Sequence, residues 1–204
     1  PPYNAPQLCD ILKQRADIAF NQNVLMDGVI PLCAALAAQE HGDARRALDL
    51  LRVSGEIADR EESDKVEEKH VKLAQAKIET DSMVECIATL PTQSKIVLYS
   101  MLLLDQMGQH IFTSGEVSRI YKEIAPGMDL DTLTHRRITD LISELNMLGV
   151  INTRVVSRGR YGRTKEMWFD SNTTKIWGVI LGDPRLNAHG LDKMDVVWVK
   201  TLFR

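Results

Sequence analysis

Residues 133–168 read LTHRRITDLISELNMLGVINTRVVSRGRYGRTKEMW, and no other stretch restricts the possible folds so strongly. Ile138, Leu141, Ile142, Leu145 and Leu148 recur at spacings of three and four, which predicts a helix with one apolar face. Thr132, His135, Arg136, Thr139 and Ser143 fall on its opposite side. Gly149 stands where a helix C-terminal glycine belongs. The β-branched pairs Val150-Ile151 and Val155-Val156 then start an extended strand. Two glycines at turn spacing in Arg158-Gly159-Arg160-Tyr161-Gly162-Arg163 predict a tight hairpin. Met167, Trp168 and Phe169 bring the return strand back onto a core.

Charge gives this pattern a chemical direction. Residues 133–168 hold seven basic and three acidic side chains, although the whole chain has a formal net charge of -3. The positive charge is therefore local, and a polyanion is expected to meet this part alone. A helix beside a cationic hairpin suits duplex DNA, which presents about one phosphate charge per 1.7 Å of axis. Thr134, His135, Arg136 and Thr139 are the candidates for the groove-facing helix surface, because arginine reads guanine bidentately and threonine can meet a phosphate or a thymine methyl. Arg137 lies nearer the buried flank and is at best a phosphate contact. Arg158, Arg160, Tyr161, Arg163 and Lys165 are the hairpin candidates, directed at the minor groove or its edges.

The rest of the chain reads as mainly α. Asn4 and Gln7 form a capping-box pair before a helix with Leu8, Ile11, Leu12, Ala16, Ala19 and Phe20 inside. Val29–Ala38 predicts a second, very apolar helix, and Asp43 caps a third. A fourth is expected over 66–79, which completes a small bundle in residues 1–80. In 81–204, a short helix over 83–90 is halted by Pro91, and Thr92 is expected to cap an apolar helix over 94–104. Another helix starts at Thr113 or Ser114 and ends at Ala125-Pro126-Gly127, and 173–181 predicts one more. The tail from Asp183 fits a last helix, a strand or a segment covering a partner.

Several functions find no support in the residues. No apolar run is long enough to span a bilayer. Cys9, Cys33 and Cys86 are odd in number and scattered through apolar helices, as expected of buried thiols in a reducing, cytoplasmic setting. His41 with Glu40 and Asp43 is a poor metal set, and no acid–base pair, nucleophile or cofactor fingerprint stands out. The first residue is Pro1, as expected of a piece of a longer protein.

Longer runs carry a resemblance. Pro1-Pro2-Tyr3-Asn4-Ala5-Pro6-Gln7-Leu8 with Ile11–Ala16 resembles the lid-domain start of archaeal replication initiators, relatives of the origin recognition complex large subunit and its helicase-loading paralogue. Gly42–Leu51 is similar to that family's sensor-2 motif, and Leu90–Lys95 to the start of its winged helix. Residues 136–165 resemble its recognition helix and wing. The resemblance implies a helical AAA+ lid over 1–80 and a winged helix-turn-helix domain with its tail over 81–204. It also implies that an N-terminal ATPase module is missing, since no GxxxxGK[ST] loop occurs. No ATPase activity is then expected of this chain alone. In the full-length protein, Arg45 would reach toward ATP or ADP with Mg, where a guanidinium suits phosphate oxygens. A plain surface arginine paired with Asp43 or Asp49 is the other reading of Arg45. The implied partners are double-stranded origin DNA and the replicative helicase. A winged-helix transcription regulator, or the lid and winged helix of another AAA+ DNA motor, would share parts of the pattern.

Overall fold

The computed structural model describes residues 2–157, 163–170 and 173–188. The chain is mostly helical and divides into two compact units, Pro1–Asp81 and Ser82–Arg204.

The first unit is built from α1 (Ala5–Ala19), α2 (Val29–Glu40), α3 (Ala44–Arg60) and the first part of α4 (Glu68–Thr89). The start of α1 is fixed locally. The Gln7 N–H donates to Asn4 Oδ1 at 3.0 Å, and the Asn4 N–H donates to Gln7 Oε1 at 3.1 Å. Leu8, Leu12 and Ala16 face the core, whereas Ala19, expected inside, is exposed in the last turn of the helix. Gly42 joins α2 to α3 at φ +66°, and its carbonyl accepts the Tyr3 N–H at 3.0 Å. A Cβ at Gly42 would stand 2.5 Å from the Tyr3 carbonyl oxygen, so glycine is required by space as well as by dihedral. An isolated parallel bridge, Leu25 to Val66, ties the α1–α2 loop to the α3–α4 loop.

The second unit contains the last part of α4, then α5 (Thr92–Gln106), β1 (Phe112–Thr113), α6 (Ser114–Gly127), α7 (His135–Met147), β2 (Asn152–Ser157), β3 (Arg163–Trp168), α8 (Thr174–Leu181) and α9 (Pro184–Ala188). Every residue of α5 from Ser94 to Leu104 is buried, so this helix is the axis around which the others pack. The sheet order is β1-β3-β2, antiparallel throughout, with Phe112 opposite Met167 and Arg154 opposite Glu166. Thr113 opens α6 through a second capping box with Glu116.

Some local expectations need correction. Residues 66–79 and 83–90 do not form two helices, because α4 is continuous from Glu68 to Thr89. Thr80-Asp81-Ser82 contains no glycine or proline, and the Thr80 hydroxyl donates to the Ala76 carbonyl inside the helix at 2.7 Å. Thr92 does not cap α5; Pro91 holds that position and Thr92 is the first helical residue. Leu148 is 48% exposed, not part of the buried face. At this end of α7 the Gly149 N–H donates to the Asn146 carbonyl and the Val150 N–H to the Leu145 carbonyl, with Gly149 at φ +70°. This left-handed reversal brings Val150 into the core in place of Leu148. Only Cys33 is fully buried, while Cys9 and Cys86 are partly exposed. Burial pushes the Cys33 thiol up to about 12, so it is protonated at neutral pH and a poor nucleophile. Residues 184–188 of the tail are helical, and 189–204 lie outside the described residues.

Candidate nucleic-acid interface

Helix α7 is amphipathic for a simple reason. Ile138, Leu141, Ile142 and Leu145 are buried, which turns His135, Arg136 and Asp140 outward. Thr134 is the N-cap, and its hydroxyl accepts the Arg137 N–H at 3.3 Å. The Thr139 hydroxyl donates to the His135 carbonyl at 2.9 Å, and Ser143 does the same to Thr139 at 2.8 Å. Both hydroxyls thus have a backbone acceptor and keep lone pairs for other donors. Arg137 is exposed, not sheltered on the buried flank, and its guanidinium lies 3.6 Å from Glu144.

The hairpin stands beside this helix and is tied to it. Lys165 Nζ donates to Ser143 Oγ at 2.5 Å, joining β3 to the middle of α7. Lys165 is thus half-buried, with its ammonium in the notch between helix and hairpin. Arg163 is exposed at the outer end of β3, in register with Ser157. Arg154 is differently occupied: it pairs with Glu166 across the strands at 2.8 Å and lies over the Trp168 ring at 5.9 Å. The candidates Arg158, Arg160 and Tyr161 fall outside the described residues.

Sequence reading overlooked Arg119 and Lys122. Both are exposed on α6 and, with Ser118 and His135, line a shallow cleft of about 380 Å³ between α6 and α7. Their signal was the complement of the apolar set Val117, Ile120, Tyr121 and Ile124, which leaves 119 and 122 on the opposite face. A more apolar cavity of about 500 Å³ lies in the first unit, lined by Phe20, Leu48, Leu51 and Gly55 among others. One arginine at its rim, Arg52, is already neutralised by Asp49 and Glu56.

Arg45 occupies the first turn of α3, where Asp43 Oδ1 accepts its backbone N–H at 2.9 Å. Its side chain is exposed and forms no ion pair among the described residues. The neighbouring Arg46 is committed, with two hydrogen bonds to Glu40. Glu40 and Asp43 are thereby engaged beside His41, and no group of three metal-ligating side chains occurs among the described residues. His70 is a core group: its Nδ1 accepts the Glu67 N–H at 2.9 Å, and its Nε2 lies 3.2 Å from Glu61. No helix among the described residues is long and apolar enough to cross a membrane.

A helical unit followed by three helices and a three-stranded hairpin sheet defines a lid and winged-helix protein. Residues 9–76 match the Cdc6 AAA+ ATPase-type lid domain, and residues 85–178 match the CDC6 C-terminal winged helix domain. The chain is 73% identical over 207 residues to the ORC1-type DNA replication protein of Methanoregula boonei, covering 100% of this chain and 48% of that protein. It is also 73% identical over 204 residues to the protein of the same name from Methanoculleus marisnigri, again covering 100% of this chain and 48% of the relative. Among solved structures it is similar to the Aeropyrum pernix ORC1 protein in complex with DNA, at 49% identity and a TM-score of 0.76, covering 92% of this chain and 49% of that one. The chain belongs to the Cdc6/ORC1 family of DNA replication proteins, of which it holds the lid and the C-terminal winged helix. It spans about half the length of the curated relatives it matches.

Proposed function

We propose that this chain binds duplex DNA at replication origins, as the C-terminal part of an ATP-regulated initiator and helicase loader. The observation that carries the reading is the attachment of β3 to the exposed polar side of α7, which sets basic residues of helix and strand beside each other. His135, Arg136 and Thr139 lie along the helix, and Lys165 fastens it to a strand that ends in exposed Arg163. The similar Aeropyrum pernix ORC1 protein was solved in complex with DNA, which supports DNA as the ligand. In this reading α7 lies in the major groove with Thr134, His135, Arg136 and Thr139 toward the bases. Arg158, Arg160, Tyr161 and Arg163 reach the minor groove. Lys165 meets the backbone between them. Arg119 and Lys122 on α6 flank the adjacent phosphates, since the first helix of such a pair crosses the backbone.

The same division assigns Arg45. An exposed guanidinium without a carboxylate partner among the described residues suits a nucleotide phosphate, whereas Arg46, held by Glu40, does not. Arg45 would contact ATP or ADP held with Mg by the ATPase module of the full-length protein, and this chain alone has no ATPase activity. The replicative helicase is the proposed downstream partner, and the cytoplasm the proposed location.

Arg136→Ala tests the assignment of bases to α7. The variant should lose about 1–3 kcal/mol of affinity for a duplex selected by the wild type from a randomised pool. It should lose much less on a scrambled duplex, and thermal stability should be unchanged because the side chain is exposed. Equal losses on both duplexes would demote Arg136 to a phosphate contact.

A further inference from the structure

The turn that leads into α7 is gripped from two sides. The Tyr121 side chain, fully buried on α6, donates its hydroxyl to Gln93 Oε1 at 2.5 Å. The same hydroxyl oxygen accepts the Leu133 N–H at 3.3 Å. Gln93, at the start of α5, donates Nε2–H to the Asp131 carbonyl at 3.3 Å. Two side chains from two different helices therefore hold two backbone groups of the 128–133 turn. That turn needs holding, because Asp129 sits at φ +52°, a conformation that asparagine and aspartate tolerate but do not prefer. The residue after Leu133 is Thr134, the cap of α7.

From this geometry we infer that Tyr121 and Gln93 are positioning residues for DNA recognition. They touch no DNA themselves but set the angle and register at which α7 leaves the turn, and the inference rests on the proposed use of α7 as the groove-reading helix. Base readout needs side chains placed within hydrogen-bond tolerance, so a small rotation of α7 costs selectivity first. Non-selective attraction to phosphate depends on charge and tolerates such a rotation. The hydroxyl is well chosen for the task. Burial, with smaller opposing contributions from its two hydrogen bonds, raises the Tyr121 phenol above its ordinary value of 10.0, so it stays a donor at working pH.

The test compares wild type, Tyr121→Phe, Gln93→Leu and the double variant in the full 204-residue chain. Phenylalanine keeps the buried ring, and Gln93 is only half-buried, so each variant should fold. Amide exchange at Leu133 and at Arg137, whose N–H reports the cap, should speed by on the order of tenfold, while exchange at Met101 inside α5 should not change. Affinity for the wild-type-selected duplex should fall by about tenfold with affinity for its scrambled counterpart unchanged. The double variant should be no worse than the worse single one, as members of one network behave. Exchange that speeds equally at Met101, or equal losses on both duplexes, would reduce the pair to ordinary stabilising contacts. If wild type binds neither duplex, the DNA-binding reading falls, and the exchange comparison alone decides whether the pair fixes the start of α7.

Discussion

Replacing Lys95 with alanine should lower the stability of the second unit by about 3 kcal/mol, the loss typical of breaking a buried ion pair from one side. The Lys95 side chain is 3% exposed and that of its partner Asp183 is 9% exposed. The ammonium donates to Asp183 and, at 2.7 Å, to the Ala88 carbonyl at the end of α4. It thereby joins the end of α4, the start of α5 and the α8–α9 junction. Alanine would leave Asp183 charged without its counterion, and would leave the Ala88 carbonyl without this donor. Burial acts to raise the Asp183 carboxyl, but hydrogen bonds from Lys95 and the Arg185 N–H, and the charges of both side chains, outweigh it. The net shift is below the ordinary value of 3.8. A carboxyl lowered by folding contributes stability above its unfolded value and loses that contribution as pH falls through its folded value. The gap between wild type and Lys95→Ala should therefore be full at neutral pH and close progressively below pH 3.8. Residues 1–81 contain no tryptophan, whereas Trp168 and Trp177 lie in the second unit, so urea unfolding followed by tryptophan fluorescence reads this unit. The paired change Lys95→Met with Asp183→Leu should restore most of the loss.

Phe112→Ala should cost about 3–5 kcal/mol. The ring is fully buried in a strand of two residues and packs against Phe169 with centroids 5.9 Å apart. Its backbone is in register with Met167, which is also buried. Truncation therefore opens a cavity where β1 holds β3 to the core. Beyond the lower urea midpoint at an unchanged slope, amide exchange at Met167 should speed more than exchange within α7. A cost below about 1 kcal/mol would mean that the core collapses into the space and that β1 does not anchor the hairpin.

What the sequence revealed and what it hid follow the range of the interactions. The Asn4–Gln7 capping box joins residues three apart, and the α7 stripe repeats every three or four, so these were legible, while the start of α6 was narrowed only to Thr113 or Ser114. The paired strands of the hairpin were legible from β-branched residues around a glycine-bearing turn. Strand β1 was not, because two residues have no periodicity and their pairing depends on Met167 far along the chain. The Lys95–Asp183 pair spans 88 positions, and neither residue stands out from other charges until the fold buries both. The continuity of α4 was hidden by a polar run that looked like a break but lacks a helix breaker. At the candidate interface, charge marked the hairpin arginines. The Lys165–Ser143 bond and the exposure of Arg119 and Lys122 required the packing of helix against strand and helix against helix.

Most direct for the central reading is fluorescence anisotropy of the chain on a labelled duplex across a salt series, beside an Arg158/Arg160/Arg163→Ala variant. Wild-type affinity should fall linearly on a log–log plot, by about 0.9 in slope for each phosphate neutralised. The variant should bind more weakly and lose roughly two to three from that slope. No binding at low salt, or a variant with the wild-type slope, would show that this face does not grip DNA.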